Sequence, residues 1–214
     1  DSNLNEIISG CLERDIRFVL PTRDAELKFW SSNKAAFLEH GIYIIVSELE
    51  SINICLDKYA FYNFGLENGL AIIETALDIE DVSADLFVVK ERFGAGSDSI
   101  GMKLDKKSAI EHALTLDAPI FQPHIDGIEF SADAWLTKDN RCKGVVLRRR
   151  DVVINGESQV TTTFTNPLIE NKISLMAEVL GLQGPVVIQG FMTNDDIQII
   201  ECNSRFGGAS TASI

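Results

Sequence analysis

Two apolar runs near the end of the chain constrain the fold most: Val186-Val187-Ile188-Gln189-Gly190-Phe191 and Ile197-Gln198-Ile199-Ile200-Glu201-Cys202-Asn203. Both read as strands. A three-residue loop at Asn194-Asp195-Asp196 would join them as a hairpin and set Gln189 opposite Glu201. Glu201 and Asn203 are two apart, so they point to one strand face. Arg205 adds a fixed positive charge on that side if the strand continues. One face then carries a carboxylate, two amides and a guanidinium. Such a set suits Mg²⁺ with a phosphate attached, because Mg²⁺ takes few protein oxygens and keeps positions for phosphate and water.

The rest of the composition narrows the class. Of 214 residues, 45% are apolar, which is enough for a substantial core and too many for a disordered chain. Nineteen basic residues against thirty-two acidic ones leave a net charge of −13, which repels a nucleic-acid backbone. No apolar run approaches the ~18 residues of a membrane span. Cys11, Cys55, Cys142 and Cys202 form no Cys-x-x-Cys pair, so reduced thiols in a cytoplasmic protein are the simpler expectation than a disulfide framework or a zinc site. The chain opens inside a predicted helix, Leu4 to Arg14, and stops nine residues after Arg205, so it reads as a fragment of a longer protein.

Apolar strands at Ile16–Leu20 and Ile42–Val46 flank a helix predicted over Asp24–His40, with Thr22 as its cap. That order marks a parallel α/β unit. Ser47 to Gly69 reads as mostly helical, capped at Ser51 or Asn53. Short strands follow at Leu70–Thr75, Leu86–Lys90 and Pro119–Gln122, with a helix at Lys106–Leu116. From Glu129 the chain turns strongly β. Strands are predicted at Phe130–Leu136, Cys142–Arg150 and Gln159–Phe164, with turns at Asp139-Asn140 and Asn155-Gly156 and a helix at Pro167–Leu180 stopped by Gly181.

Four further clusters bear on chemistry. Lys58 lies in the helical stretch. Lys90 ends the strand Phe87-Val88-Val89-Lys90 and precedes a glycine-rich loop in which Gly94, Gly96 and Gly101 allow backbone N–H groups to turn toward an anion, with Ser97 and Ser99 adding hydroxyls. The loop matches neither the Walker pattern nor the dinucleotide fingerprint. Gln122 to Glu129 links two units and offers backbone groups for a purine edge and a carboxylate for ribose hydroxyls. On Leu147-Arg148-Arg149-Arg150, Arg148 and Arg150 share a face and suit a carboxylate or phosphate.

In this order the stretches resemble the ATP-grasp superfamily, in its carboxylate–amine ligase branch related to the carbamoyl-phosphate synthase large subunit and biotin carboxylase. The resemblance rests on Leu56-Asp57-Lys58, Phe87 to Lys90 with Phe93 to Ser97, Gln122 to Glu129, Val187-Ile188-Gln189 and Ile200 to Gly208. It implies an α/β and α+β fold: a partial parallel α/β unit over 1–48, a small lid subdomain over 49–121, and a larger antiparallel β subdomain with flanking helices over 122–214.

The resemblance also implies roles. Lys58 and Lys90 would contact ATP phosphates beneath a lid at Gly94, Gly96 and Ser97. Gln122 and the backbone near Ile125 would hold adenine, and Glu129 the ribose. Gln189, Glu201 and Asn203 would coordinate Mg²⁺, or Mn²⁺ in its place. Arg205 would act on the transferred phosphoryl group, with Arg148 or Arg150 holding the carboxylate substrate. Pro123 departs from the family by standing where a second glutamate is common; it has no N–H to donate. The implied activity is ATP-dependent joining of a small carboxylate to an amine, with no nucleic acid or membrane partner and with a homodimer compatible. A non-catalytic ATP-binding module and a carbamoyl-phosphate synthase-like domain acting on bicarbonate are the alternatives.

Overall fold

The computed structural model describes residues 2–94, 99–154, 157–193 and 196–210. After α1 (Ser2–Glu13), a two-residue strand β1 (Phe18–Val19), helix α2 (Asp24–Glu39) and a second short strand β2 (Tyr43–Ile44) make a parallel crossover, with Phe18 paired to Tyr43. Leu27, Phe37, Ile42 and Ile52 are fully buried in its core. Arg23, not Thr22, is the N-cap of α2, and it makes no side-chain cap bond. Asp24 and Glu26 in the first turn still meet the positive end of the helix dipole.

Helices α3 (Leu49–Leu56) and α4 (Lys58–Glu67) follow. The cap expected at Ser51 or Asn53 is instead Asp57, whose carboxylate accepts from the N–H groups of Tyr59 and Ala60 at the start of α4. Ser51 is buried inside α3, where its hydroxyl donates to the Gly181 carbonyl at 3.3 Å. The strand expected over Leu70–Thr75 does not form. The segment divides its backbone bonds between two sheets, Ile73 N–H reaching Ile199 O at 2.8 Å and Ala76 N–H reaching Phe121 O at 2.9 Å. Neither pairing extends into a ladder, and the segment becomes a strap between the sheets.

One of those sheets is small and antiparallel: β3 (Phe87–Glu91) between β4 (Gly101–Leu104) and β5 (Pro119–Pro123). Helix α5 (Lys106–Ala113) packs on it through the buried Ala109. Strand β4 carries no clear alternation, and sequence reasoning missed it.

The other is a five-stranded antiparallel sheet in the order β10-β9-β6-β7-β8. Its strands are β6 (Ile128–Leu136), β7 (Cys142–Ile154), β8 (Glu157–Phe164), β9 (Gly184–Met192) and β10 (Ile197–Asn203). The turn expected at Asn155-Gly156 lies outside the described residues. Helix α6 (Pro167–Val179) covers one face. Asn166 caps it, Pro167 opens its first turn, and Gly181 stops it at a φ of +66°. Ile169, Ile173, Met176 and Ala177 recur at helical spacing and pack on Phe130, Ala132, Leu147 and Ile188. Each large side chain buried there contributes about 1.5–3 kcal/mol. The core therefore claims one face of the sheet and leaves the opposite face for polar side chains. No helix among the described residues is long and apolar enough to cross a membrane, and all four cysteines are free thiols.

Candidate active site

The polar face is laid out in rows of cross-strand partners, which share a face. Glu201, Gln189, Ser131 and Arg148 form one row across β10, β9, β6 and β7. Asn203, Val187, Asp133 and Val146 form the next. Gln189 does lie opposite Glu201, but by a different route from the expected hairpin. Met192 pairs with Ile197, so four residues connect the strands and uninterrupted pairing would bring Ile200 to Gln189. A bulge between Ile199 and Glu201 absorbs the extra residue and restores the pair. Asn194 and Asp195 of the expected loop lie outside the described residues.

Two lysines face this row from the other units. Lys90, on the central strand of the small sheet, is 7% exposed. Burial pulls its ammonium down to about 8; Glu201 and Glu129 oppose that fall and Lys58 adds to it. Lys58 is lowered by burial too, with Glu201 and then Asp24 resisting. Its Nζ donates to the Gly94 carbonyl at 2.9 Å. Glu201 is thus the strongest countercharge to both lysines. Gly96 and Ser97 of the expected lid lie outside the described residues. Asp57 ties the loop's base to α4 by taking Arg92 with both oxygens, at 2.7 and 2.6 Å. Burial would raise the Asp57 carboxyl, but bonds from Arg92 and the N–H groups of Ala60 and Tyr59 hold it below the usual range.

The three arginines of interest all have carboxylate partners. Arg148 is 2% exposed and grips Asp133 through Nε and Nη2, while its buried Nη1 has no acceptor among the described residues. Ser210 also donates to Asp133. Arg150 pairs with Glu129 and donates to Gln189 Oε1 at 3.3 Å. Arg205 holds Asp24 of α2 by two bonds, at 2.8 and 2.6 Å, and reaches Asn203 Oδ1 at 3.4 Å. Glu129, expected at a ribose, is therefore engaged by Arg150. Gln122, expected at adenine, is 2% exposed and donates its amide to the Thr75 hydroxyl at 2.9 Å. Ile125, expected beside it, is half-buried.

Among the described residues no cluster of three or more His, Cys, Asp or Glu side chains is placed to hold a metal. Gln189, Glu201 and Asn203 offer a single carboxylate and two amide oxygens instead, with the Asn203 amide 3.4 Å from Glu201 Oε1. That donor set fits a hard cation whose remaining positions are filled by phosphate and water.

A profile of the ATP-grasp domain matches residues 55–209, most of the chain. The chain belongs to the ATP-grasp family. None of the curated proteins compared with it matches by sequence. Solved structures match in fold. Biotin carboxylase of Campylobacter jejuni, in its β-γ-ATP complex, superposes with a TM-score of 0.76 at 14% identity over 99% of this chain and 54% of that one. The biotin carboxylase domain dimer of Hydrogenobacter thermophilus 2-oxoglutarate carboxylase, with MgADP, ADP and bicarbonate, gives 0.72 at 14% over 98% and 52%. L-amino acid ligase of Bacillus licheniformis gives 0.72 at 17% over 97% and 54%. The chain spans about half the length of each of these three structures.

Within this ATP-grasp frame, sequence reasoning missed Asp24, Asp133, Ser210 and Thr75. Asp133 had a signal, because Glu129, Ser131 and Asp133 alternate onto one face of β6. Asp24 had none, lying 181 residues from Arg205. Asp24→Asn is expected to lower stability by about 2 kcal/mol, between the values for exposed and fully buried pairs. Urea unfolding measures it, and a change below about 0.5 kcal/mol would show the pair to be idle.

Proposed function

We propose that this chain carries the nucleotide and metal machinery of an ADP-forming, Mg²⁺-dependent carboxylate–amine ligase. The observation that carries the reading is the buried ammonium of Lys90 set against Glu201, with Lys58 beside it. Of the carboxylates near them, Glu129, Asp24 and Asp57 are each held by an arginine, so two partly desolvated lysines have charge to spare for a polyphosphate. The nucleotide would lie between the small sheet and the polar face of the large one.

A substrate carboxylate oxygen would attack the γ-phosphorus, and the bond to the β-phosphate oxygen would break to release ADP. The acyl phosphate would then meet an amine at its carbonyl carbon, phosphate would leave, and the amine would give up a proton. Such chemistry is mainly positioning and charge neutralisation. Lys58 and Lys90 would hold the phosphates and Arg205 the transferred group, while Gln189, Glu201 and Asn203 would hold Mg²⁺. When bound, Mg²⁺ would supply positive charge that offsets the charge developing on departing ADP. No protein nucleophile is needed. Cys202, between Glu201 and Asn203, is buried, and its thiol is pushed well above its ordinary value by a hydrogen bond with the Cys55 thiol and by burial.

The test is ADP release by the full-length protein with panels of carboxylates and amines, with and without Mg²⁺. The reading expects ADP formation that needs a carboxylate and rises with an amine. Bicarbonate-dependent hydrolysis would instead favour the carbamoyl-phosphate synthase-like reading. Tight nucleotide binding without any substrate-dependent turnover would overturn catalysis and leave a binding module. Glu201→Gln should weaken the Mg²⁺-dependent part of nucleotide affinity about tenfold, through loss of the one carboxylate ligand.

A further inference from the structure

A cavity of about 300 Å³ opens on the polar face of the large sheet, two residues along the strands from the Asn203–Asp133 row. That volume is at the lower end of small-molecule sites. Its walls include Trp135, Gly144, Val146, Pro185 and Phe206, with Asp133 at the edge nearer Asn203. Trp135 stands directly opposite both Gly144 and Pro185, so these residues share the face that carries Gln189 and Glu201. The segment after Arg205 folds back over the same face. A Cβ on Gly207 would meet Val187 Cγ2 at 2.7 Å, and Ser210 bonds to Asp133. Phe206, in the cavity wall, is the residue next to Arg205.

Gly144 is an independent pointer. A glycine inside a strand weakens it and often marks the close approach of a ligand. Here a Cβ at Gly144 would meet no atom within 4 Å, so the sheet is bare at this point of the cavity wall. Across from it Trp135, 46% exposed, presents a large aromatic surface.

We infer that this cavity is the subsite for the apolar branch of the carboxylate substrate. The inference rests on the ligase reading. A carboxylate activated beside Arg205 and Asn203 would have its chain directed along the strands toward Trp135, two residues from the Asn203–Asp133 row. Two residues of strand span ~7 Å, which a branched aliphatic or a phenyl group on a short linker covers. The substrate class is thus a carboxylic acid with an apolar side chain, and not bicarbonate.

The experiment is calorimetry on the full-length protein with Mg²⁺ and a non-hydrolysable ATP analogue, using acetate and 3-phenylpropanoate as probes. The wild type should bind 3-phenylpropanoate at least about tenfold more tightly than acetate, from burial of the ring. Gly144→Leu places a side chain in the open space and should erase that preference. Analogue affinity in the same titration reports that the variant is folded, and Gly144→Ser, too small to fill the space, should keep most of the preference. Equal binding of both probes by the wild type overturns the inference, as does a preference that survives Gly144→Leu. A preference that is lost as expected, without any carboxylate-dependent ADP release, sinks the ligase reading and leaves the subsite standing.

Discussion

Lys90→Met is expected to weaken nucleotide binding severely and, at neutral pH, to make the protein more stable. Burying an ammonium is costly, and here it lowers the group from 10.5 to about 8. A drop of that size corresponds to about 3 kcal/mol against the charged form. Methionine removes that penalty and fills similar volume. Glu201 and Glu129 lose a countercharge, which returns part of the gain, so a net increase of about 1 kcal/mol is expected by urea unfolding. Nucleotide affinity should fall at least about 100-fold, the worth of a charge-assisted phosphate contact in a desolvated site. A variant that loses stability while keeping affinity would make Lys90 a structural residue.

The pH dependence follows with a definite sign. Between about 8 and 10.5 the unfolded chain keeps the Lys90 proton that the folded chain has released. The unfolded state binds more protons there, so this group makes stability rise with pH across the window. Below about 8 both states are protonated and the burial penalty is present in full. The stability advantage of Lys90→Met should therefore shrink as pH climbs from 8 to 10.5. Nucleotide affinity should move the other way, falling as Lys90 loses its charge. Bound phosphates favour the charged form, so that fall is displaced above 8. Lys90→Arg, which stays charged, should bind with a flatter pH profile.

Why was the shared face of Gln189, Glu201 and Asn203 readable from sequence and the rest of the polar face less so? A period of two reports which residues share a strand face. Glu201, Asn203 and Gln189 could therefore be grouped without knowing the sheet. Even the loop miscount did no harm, because the bulge at Ile200 cancelled it. Partners across the chain have no such signature. Arg205 looked like a free guanidinium because Asp24 reads as an ordinary first-turn acid of α2. Glu129 and Arg150 were each identified, yet not as a pair. Their positions face one another only once β6 and β7 are in register, Phe130 opposite Arg149. Gln122 alternates correctly for a cleft residue, but Thr75 on the strap occupies its amide. The strap itself is apolar enough to read as a strand, and only the division of its hydrogen bonds between two sheets stops it from being one.

Arg148→Met is expected to be among the most destabilising single changes on the polar face. The guanidinium and Asp133 are both largely removed from water, and losing Arg148 takes from Asp133 the cation that grips both of its oxygens. Breaking such a pair costs about 3–5 kcal/mol, whereas replacing both members by apolar residues is often neutral or better. Arg148→Met combined with Asp133→Leu should therefore recover most of the stability lost by Arg148→Met alone, read as a coupling energy of about 2 kcal/mol or more in a double-mutant cycle. Ser210 sets the limit of the recovery, since its hydroxyl loses an acceptor in the double variant. The same pair of variants separates a structural arginine from one that meets substrate. Arg148 spends Nε and Nη2 on Asp133 but buries Nη1 with no acceptor among the described residues. An unmet buried donor costs about 1–3 kcal/mol, which a substrate carboxylate could repay. A double variant that is stable, binds nucleotide and no longer responds to carboxylate would assign Arg148 to the substrate. One that is stable and turns over normally would confine it to holding Asp133 and the segment that closes over the sheet at Ser210.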